Sequence, residues 1–421
     1  MTPQAGVNVL CPVLPDHVDE LRTQLDQMGQ RPADNEVIPF GQLPGVHFAR
    51  LFLLDQTTDL DGAPIPARLF LMADFDASLE AQLAELVDAA GAGLDAVFGH
   101  CEGYAGVSTR EARLAFLHGH IVSSDAHYTN TIGRTVTQIR QEAELRDAIE
   151  SFLDRRSDWS ALDPTEVRAQ IQGFVRSEAR LAFASSPAGE RDLGWWLREL
   201  AWLALIPLAL IVAVVLAPVL AVYVVALRIH ELREPPATAK PSPEHDRELA
   251  AIEDHGPQNQ YSLVGFIKPA PFWHLTMRVV LLLTDYGTHH VFNHANLAGV
   301  KTIHFARWVP VDGRRRMIFA SSYDGSVEMY NDDFIDKLWW GLNVTSGSGQ
   351  GYPRTRFLLF GGAQDELAFK HVIRAHQVLT QVWYSAYPSM TALNIEQNAR
   401  ISAGLNGPMS AAVVARWLAL L

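Results

Sequence analysis

One stretch of the chain occurs twice, and this duplication constrains the fold more than any other feature. Residues 45–104 and 302–352 share a His-Phe-Ala-Arg tetrapeptide, and the residues after the next strand keep their spacing without a gap over 29 positions. Those repeated residues are Asp76/Asp324, Ser78/Ser326, Glu80/Glu328, Gly93/Gly341, Leu94/Leu342, Gly103/Gly351 and Tyr104/Tyr352. Chance does not hold a register over that length, so we interpret the chain as an internal duplication.

Each copy predicts the same order of secondary structure. In the first copy, apolar strands and helical spacings predict elements at 7–13, 16–25, 46–54, 67–75 and 78–90. In the second copy, the equivalent elements are expected at 261–268, 272–290, 302–311, 316–323 and 326–342. Strand–helix–strand–strand–helix with a following strand is the ferredoxin-like order. We therefore predict an α+β fold in which two ferredoxin-like repeats face each other as an intrachain α+β barrel.

Between the copies lies an apolar segment, Leu200 to Leu227, which contains 28 residues and no charge. A helix of this composition inside a soluble protein would need cover on every side, so we expect membrane lipid to contact 200–227. Two arms of 14 residues would each reach roughly 21 Å, short of the roughly 30 Å hydrocarbon core. Pro207 and Pro218 provide places to bend. The hypothesis is a re-entrant hairpin or bent interfacial helix that holds both copies on one side of the membrane.

These features divide the chain into six segments. They are a first repeat (1–155), a helical connector (156–194), the hydrophobic segment with its flanks (195–233), a Pro-rich charged linker (234–260), a second repeat (261–405) and a C-terminal helix (406–421). The net charge of −13 without a basic block disfavours nucleic acid as a partner. Cys11 and Cys101 form no disulfide framework and fit a reducing compartment, so we expect the cytoplasmic face of the membrane.

The duplicated histidines, His47 and His304, are the first candidates for a site. Strand alternation sets them opposite the duplicated arginines, Arg50 and Arg307, along their strands. If the two sheets face each other, both imidazoles are expected in the space between them. They are then either hydrogen-bonded core residues or residues that contact a ligand or a metal, and both alternatives stay open.

Arg307 and Asp324 are the other charged candidates, and the first copy repeats them as Arg50 and Asp76. The acid ends the second of two neighbouring strands and the base lies on the first, so an ion pair is expected. The pair has two interpretations. It is a structural pair that orients the following turn, or a catalytic acid–base pair beside a cofactor.

Further histidines occur in the second copy. His376 lies on the apolar face of a helix predicted over 365–376, the position of a core histidine or of a proximal haem ligand. His290 and His294 are four residues apart, a spacing that can place two imidazoles on one helix face for a metal ion.

The duplicated ferredoxin-like order resembles the dimeric α+β barrel superfamily, which includes the dye-decolourising peroxidases and the chlorite dismutase-like proteins. Those proteins bind haem through a histidine of the second repeat. The resemblance implies that His376 or His304 ligates iron, that Asp324 is the distal acid–base and that Arg307 polarises the peroxide. Of the Gly-x-x-Asp-Gly stretch that carries the distal acid in the peroxidases, the chain has 323–325. The strings HFARW, SSYDGS and GYPRT also resemble an uncharacterised bacterial family.

The leading hypothesis from the sequence is a membrane-associated, haem-dependent peroxidase or oxygenase that acts on an apolar, lipid-like substrate. One alternative is a non-catalytic, membrane-bound module that binds a lipid or another small molecule. Another is a cofactor-independent monooxygenase of the same barrel group. The sequence leaves a homo-oligomer open.

Overall fold

Two four-stranded antiparallel sheets organise the part of the chain that the computed structural model describes, residues 4–185, 193–237, 239–292 and 296–421. Their strands are β1 (Ala5–Pro12), β2 (Val46–Leu54), β3 (Arg68–Phe75), β4 (Ala126–Thr129), β5 (Gln258–Phe266), β6 (Ile303–Val311), β7 (Arg316–Asp324) and β8 (Val382–Ser385). The six strands other than β4 and β8 have bounds within about three residues of those expected from the sequence. The structure is therefore of the mixed α+β class, as the sequence predicts.

Each sheet takes its fourth strand from the other half of the chain. The strand order is β1-β3-β2-β8 in the first sheet and β4-β6-β7-β5 in the second. In register, Val382 of β8 lies opposite Leu51, and Ala126 of β4 lies opposite Trp308. Neither half therefore completes its own sheet.

Fourteen α-helices surround the two sheets in the described residues. They are α1 (Val18–Gly29), α2 (Leu79–Phe98), α3 (Arg110–Gly119), α4 (Val136–Leu153), α5 (Pro164–Ser177), α6 (Leu193–Leu203), α7 (Leu205–Val215), α8 (Ala217–Leu232), α9 (Pro243–Ala250), α10 (Pro271–His290), α11 (Val327–Ser346), α12 (Glu366–His376), α13 (Ala392–Gly404) and α14 (Ala411–Leu418). The repeated serines cap α2 and α11: Ser78 Oγ accepts the Ala81 amide at 3.3 Å, and Ser326 Oγ accepts the Met329 amide at 3.2 Å.

The two sheets pack face to face, and helices cover their outer faces. Phe52 and Phe70 of the first sheet share one buried cluster with Val309 and Ile318 of the second. On the outer face of the first sheet, α1 and α2 pack their apolar stripes, while α10 and α11 cover the second sheet. A separate cluster joins α4, α5, α13 and α14. Burial of these surfaces stabilises the fold because apolar side chains leave water.

The halves also share irregular features. Both β2 and β6 carry a bulge near their start, between Val46 and Phe48 and between Ile303 and Phe305. Both α2 and α11 are kinked at one residue of non-helical conformation, Ala90 (φ −130°) and Leu338 (φ −137°). One feature is not shared: the connection between β2 and β3 forms a small hairpin, in which Thr57 pairs with Ile65 and Thr58 with Pro64.

The apolar segment is bent rather than straight. Among the described residues, no single helix is long and apolar enough to cross a membrane. Together, the helical stretches Glu199–Val215 and Ala217–Leu232 are long and apolar enough by length and composition alone, but the angle between them is 78°. The bend lies at Leu216, where Pro218 occupies the first turn of α8. The expected break near Pro218 is therefore present.

Candidate functional site

The structure places Arg307 between the two sheets, fully buried and bound to the first half. Its Nη1 donates to the Val7 carbonyl and to Asn8 Oδ1, both at 3.0 Å, and its Nη2 donates to the Ala73 carbonyl at 2.7 Å. It also forms an ion pair with Asp74. The expected pair of Arg307 with Asp324 is therefore wrong, because the arginine reaches across to the opposite sheet instead of along its own.

Arg50 makes the reciprocal set of contacts without a carboxylate. It donates to the carbonyls of Tyr261 and Ser321 at 2.9 and 3.1 Å, and to the hydroxyls of Ser262 and Ser322 at 3.0 and 2.8 Å. Burial lowers the pKa of Arg50 to about 10, against the opposing effect of nearby Asp74. Both guanidinium groups join the two sheets through their Nη atoms, so the geometry supports a structural role for them.

His47 and His304 are the extra residues of the two bulges, which is why strand alternation does not predict their direction. His304 Nε2 lies 2.7 Å from Asp324 Oδ1, and His47 Nε2 lies 2.8 Å from Asp76 Oδ1. Each imidazole contacts a phenyl ring of the other half, His47 with Phe305 and His304 with Phe48, at 5.3 Å between ring centres. They therefore reach the end of the space between the sheets.

Both oxygens of Asp324 have partners. Its Oδ2 accepts the backbone amide of Ala392, the first residue of α13, at 2.7 Å, and Oδ1 contacts His304. In the first half, Asp76 likewise accepts the amide of Val136 at the start of α4 at 2.6 Å. Each carboxylate thus joins a bulge to a helix N-terminus, where negative charge is stabilised.

The proposed haem residues do not form one haem site, because His304 is in direct contact with Asp324, whereas His376 lies far from it. His376 donates from Nδ1 to the Val372 carbonyl at 2.7 Å and lines a cleft of about 100 Å³ beside Gly265. Asp324 lies opposite Gln258, seven residues from Gly265 along β5, which corresponds to roughly 23 Å. The guanidinium group of Arg307 binds the opposite sheet. The residues present do not fit a haem with His376 as its ligand and Asp324 as its distal acid.

Of the predicted histidine pair, the structure describes His290 alone. His290 Nδ1 lies 3.1 Å from Glu199 Oε2, and its ring stacks on Trp202. His294 lies outside the described residues. His290 instead attaches α10 to α6.

A different feature, an apolar chamber of about 280 Å³, lies between the second sheet and its covering helices. Its walls come from α10, from the outer face of the sheet and from α11. Among the lining residues are Val280, Thr284, Leu263, Trp308, Phe319, Phe334, Leu338 and Val344. The volume is close to the lower end of the range for small-molecule pockets, roughly 300–1,000 Å³.

Polar groups line one part of this chamber. Tyr261 Oη donates to Asn331 Oδ1 at 3.2 Å, and Tyr330 Oη donates to Ser321 Oγ at 2.9 Å. Burial raises the pKa of both phenols, which keeps them neutral. Asn331 Nδ2 has no hydrogen-bond partner among the described residues. A buried amide of this kind can donate to a carbonyl or hydroxyl oxygen of a bound molecule.

The chamber opens beside an exposed apolar surface. Leu283 and Trp340 both line it and are exposed, at 64% and 41%. Four apolar residues of α10 are exposed: Leu275, Val279, Leu282 and Leu283. The same helix contacts the apolar segment, since Tyr223 Oη lies 3.0 Å from Thr276 Oγ1 and His230 stacks on Phe272.

The two halves differ at the place where the chamber lies. In the first half, the carbonyl of Val37 lies against Gly93, so close that a Cβ there would be 1.6 Å from the oxygen. The connection that carries it also buries Ile38, Phe40 and Leu43 in the first core. At the equivalent Gly341, the nearest atoms belong to the side chain of Leu338 rather than to a backbone carbonyl, and the glycine lines the chamber. The first half is filled where the second half is hollow.

The sequence analysis identified none of these lining residues as a site. A cavity is the absence of side-chain volume, and it has no motif. One signal was available: residues 279–283 read VVLLL, which is apolar on all sides of a helix, whereas a helix on a soluble surface has a polar face.

Comparisons with models of protein families, with curated protein sequences and with solved structures found no match to this chain.

Proposed function

We propose that the protein binds an apolar, lipid-like small molecule in the chamber between the second sheet and helices α10 and α11. The observation that carries the proposal is the position of the chamber, whose apolar walls open beside the exposed leucines of α10. A ligand that partitions into lipid would reach such an opening without crossing water. The amide of Asn331 would bind its single polar group.

Membrane attachment through 200–227 is part of this proposal. Large apolar side chains along α7 and α8 are exposed, including Leu210, Ile211, Val214, Val215 and Val222 at 62–75%. A surface of this size and composition requires a partner, and lipid is the partner that places no demand on shape. The bend of 78° favours a segment that enters and leaves the membrane by one face.

A second part of the proposal concerns the fold of the two halves of the chain. We interpret the two sheets as ferredoxin-like repeats that have exchanged their last strands and closed into an intrachain α+β barrel. The shared bulges, the shared helix kinks and the reciprocal arginine contacts support this interpretation. In this arrangement, the space between the sheets is filled, and the chamber lies outside the barrel, under the helices of one half.

Binding is favoured over turnover because the described residues that line the chamber include no carboxylate, histidine, cysteine or lysine that could activate their hydroxyl groups. The haem-dependent reaction stays a prediction of the sequence, and its test is direct. Protein expressed with haem supplied is expected to show no Soret absorption band, since His376 and Asp324 do not share a site. A stoichiometric Soret band lost in His376→Ala would contradict this expectation.

Photolabelling in vesicles tests the binding proposal. Protein reconstituted in phosphatidylcholine vesicles would be exposed to a fatty acid that carries a diazirine near its end, irradiated and mapped by mass spectrometry. We expect labels on the peptide of α11, which lines the chamber, as well as on the apolar segment. Thr284→Trp, which fills the chamber from α10, should reduce the α11 labels at least tenfold.

The matched control is Leu282→Trp, which adds the same ring on the exposed side of the same helix, where Leu282 is 69% exposed. It should leave the α11 labels unchanged. Labels confined to 200–227 and to the outer face of α10, or equal α11 labelling in both variants, would refute the proposed chamber function. Membrane attachment would then still stand on its own.

A further inference from the structure

A second group of side chains lies in the first half, at the junction of α1 and the end of α2. His17 precedes α1, Glu20 lies in its first turn, and His100 follows α2. His17 Nδ1 and His100 Nδ1 are 3.0 Å apart, and His100 Nδ1 is 4.0 Å from Glu20 Oε2. One donor atom from each residue lies within 4.8 Å of the others. None of these residues has a role in the chamber.

These separations suit a small tetrahedral metal ion. Bonds of roughly 2.0–2.1 Å to nitrogen and oxygen place neighbouring tetrahedral ligands roughly 3.3 Å apart. The observed 3.0 and 4.0 Å lie on either side of that value. Two imidazoles and one carboxylate are also a donor set that zinc uses in sites that keep a fourth position open.

The backbone holds the two histidines in place. The Leu14 amide donates to the His100 carbonyl, and the His17 amide donates to the Leu14 carbonyl, both at 2.9 Å. The Glu102 amide donates to the Pro12 carbonyl at 2.9 Å, which ties the other side of the same loop to β1. Ligands on a fixed backbone bind a metal with little cost of ordering.

The histidines are also suited to binding in their neutral form. At 3.0 Å, the two Nδ1 atoms cannot both carry a proton without a clash, so at least one presents its lone pair. Neutral imidazole is the form that ligates metals.

The same corner of the second half already contains a cation. The isolated bridges Val13–Cys101 and Ile267–Gly349 align the two corners. Around this place in the second half, the ammonium group of Lys268 donates to the Gly347 carbonyl at 2.5 Å and to Glu234 at 2.7 Å. A positive charge is therefore compatible with this corner of the fold.

A second cluster, Glu328, Asp332 and Glu366, differs in this respect. All three carboxylates contact the ammonium group of Lys370 at 2.5–2.6 Å. That cluster already has its cation, and it carries no proposal.

We propose that His17, Glu20 and His100 bind a divalent ion of the zinc class, with a fourth position open to water. Glu20 is exposed, and the two histidines are half-buried, so an ion can enter from solvent.

Cobalt titration tests this site. Full-length protein without a histidine tag, in detergent, would be titrated with Co²⁺ and followed by the visible bands of tetrahedral cobalt. We expect one Co²⁺ per chain, displaced by Zn²⁺. Glu20→Ala and His100→Gln should each weaken binding at least tenfold, since even second-shell changes cost roughly 10–100-fold.

The control is His255→Gln, an exposed histidine in the second half, which should bind Co²⁺ like the unaltered protein. Glu20 has 73% of its side chain exposed, so its alanine variant retains the fold even if His100→Gln does not. No tetrahedral cobalt spectrum in the unaltered protein, or equal affinity in Glu20→Ala, would overturn the proposal. Neither result bears on the apolar chamber.

Discussion

At the scale of single residues, the buried charges between the sheets are unequal. Arg50 and Arg307 occupy reciprocal positions, but only Arg307 faces an acid, Asp74, where Arg50 faces Ser322. His127 Nε2 also contacts Asp74, at 3.1 Å, and burial followed by the charge of Arg307 lowers the pKa of that imidazole. One carboxylate, that of Asp74, therefore contacts both a guanidinium group and an imidazole, and both stability and its pH dependence should centre on it.

Asp74 should control part of the acid unfolding. Burial opposes its ionisation, but Arg307 and His127 outweigh that effect and lower its pKa to about 2. Because the unfolded value is about 3.9, the stabilisation is complete above about pH 4 and is lost as the pH falls through about 2. The expected loss is on the order of 2–3 kcal/mol. Denaturant unfolding at several pH values measures it.

The comparison for that measurement is Asp74→Asn. This variant should be less stable at neutral pH, since Arg307 loses its charged partner, but it should lose less stability between pH 4 and 2. Asp55→Asn, which alters a carboxylate whose side chain is 69% exposed, should follow the unaltered protein. Parallel curves for Asp74→Asn and the unaltered protein would show that Asp74 is not the titrating group.

Ser322→Asp should stabilise the protein. The new carboxylate would face Arg50 as Asp74 faces Arg307, and the gain should be on the order of 1 kcal/mol after desolvation of the acid. Ser321→Asp is the matched control. Ser321 Oγ accepts from Tyr330 on the helix side, so a carboxylate there has no arginine and should destabilise. Equal destabilisation of both variants, measured by thermal unfolding, would show that a carboxylate partner for Arg50 does not stabilise the protein.

At the scale of elements, the end of α8 connects the apolar segment to the body. Glu231 is fully buried and accepts from Thr355 Oγ1 and from the amides of Phe357 and Leu358, each at 2.8 Å. Phe357 and Leu358 have positive φ values of 60° and 53°, and the carboxylate holds this strained turn in place. A change at Glu231 should therefore act on the attachment of α8 before it acts on either sheet.

Glu231→Ala should loosen α8. Two buried donors, Thr355 Oγ1 and the Leu358 amide, would lose their acceptor at about 1–3 kcal/mol each, and the part-buried Phe357 amide would lose its acceptor as well. Trypsin cleavage after the exposed Arg233 reports the opening, and we expect the initial rate to rise at least tenfold. Glu244→Ala, on the exposed face of α9, should not change it. If the two variants are cleaved at the same rate, Glu231 does not secure the helix.

The sequence predicted the positions of helices and strands better than it predicted which strands pair with each other. Strand limits such as Val46–Leu54 follow from apolar runs that end at turn residues, a local property. The exchange of β4 and β8 could not be predicted, because the period of a strand does not specify which edge it joins. The expected linker at 234–260 contains α9, whose polar sequence gave little apolar signal. The sequence did not predict the chamber, because the chamber depends on a difference in packing between the halves. The connection at 30–45 fills the equivalent place in the first half.

At the scale of the whole molecule, strand exchange makes the halves interdependent. A sheet that lacks its fourth strand exposes an unpaired edge, which favours aggregation. Arg50 and Arg307 would each lose all of their acceptors in an isolated half, because every acceptor belongs to the other half.

Separate halves should therefore not fold. Expressed alone, 1–233 and 234–421 should each be insoluble in detergent, whereas co-expression should yield a complex that copurifies. A chain with a protease site inserted in the 234–242 linker and cut after folding should stay associated, which controls for the break itself. Soluble, cooperatively unfolding halves would contradict the dependence.

The position of β8 has a consequence for biosynthesis. The strand that completes the first sheet is at 382–385, and translation produces it long after 200–227 has left the ribosome. A nascent chain therefore exposes the apolar segment 200–227 while its first sheet still lacks a strand. Under the proposed membrane attachment, 200–227 would reach lipid before β8 completes the first sheet. A chaperone or the translocation machinery would then bind a chain with an incomplete sheet rather than a folded protein.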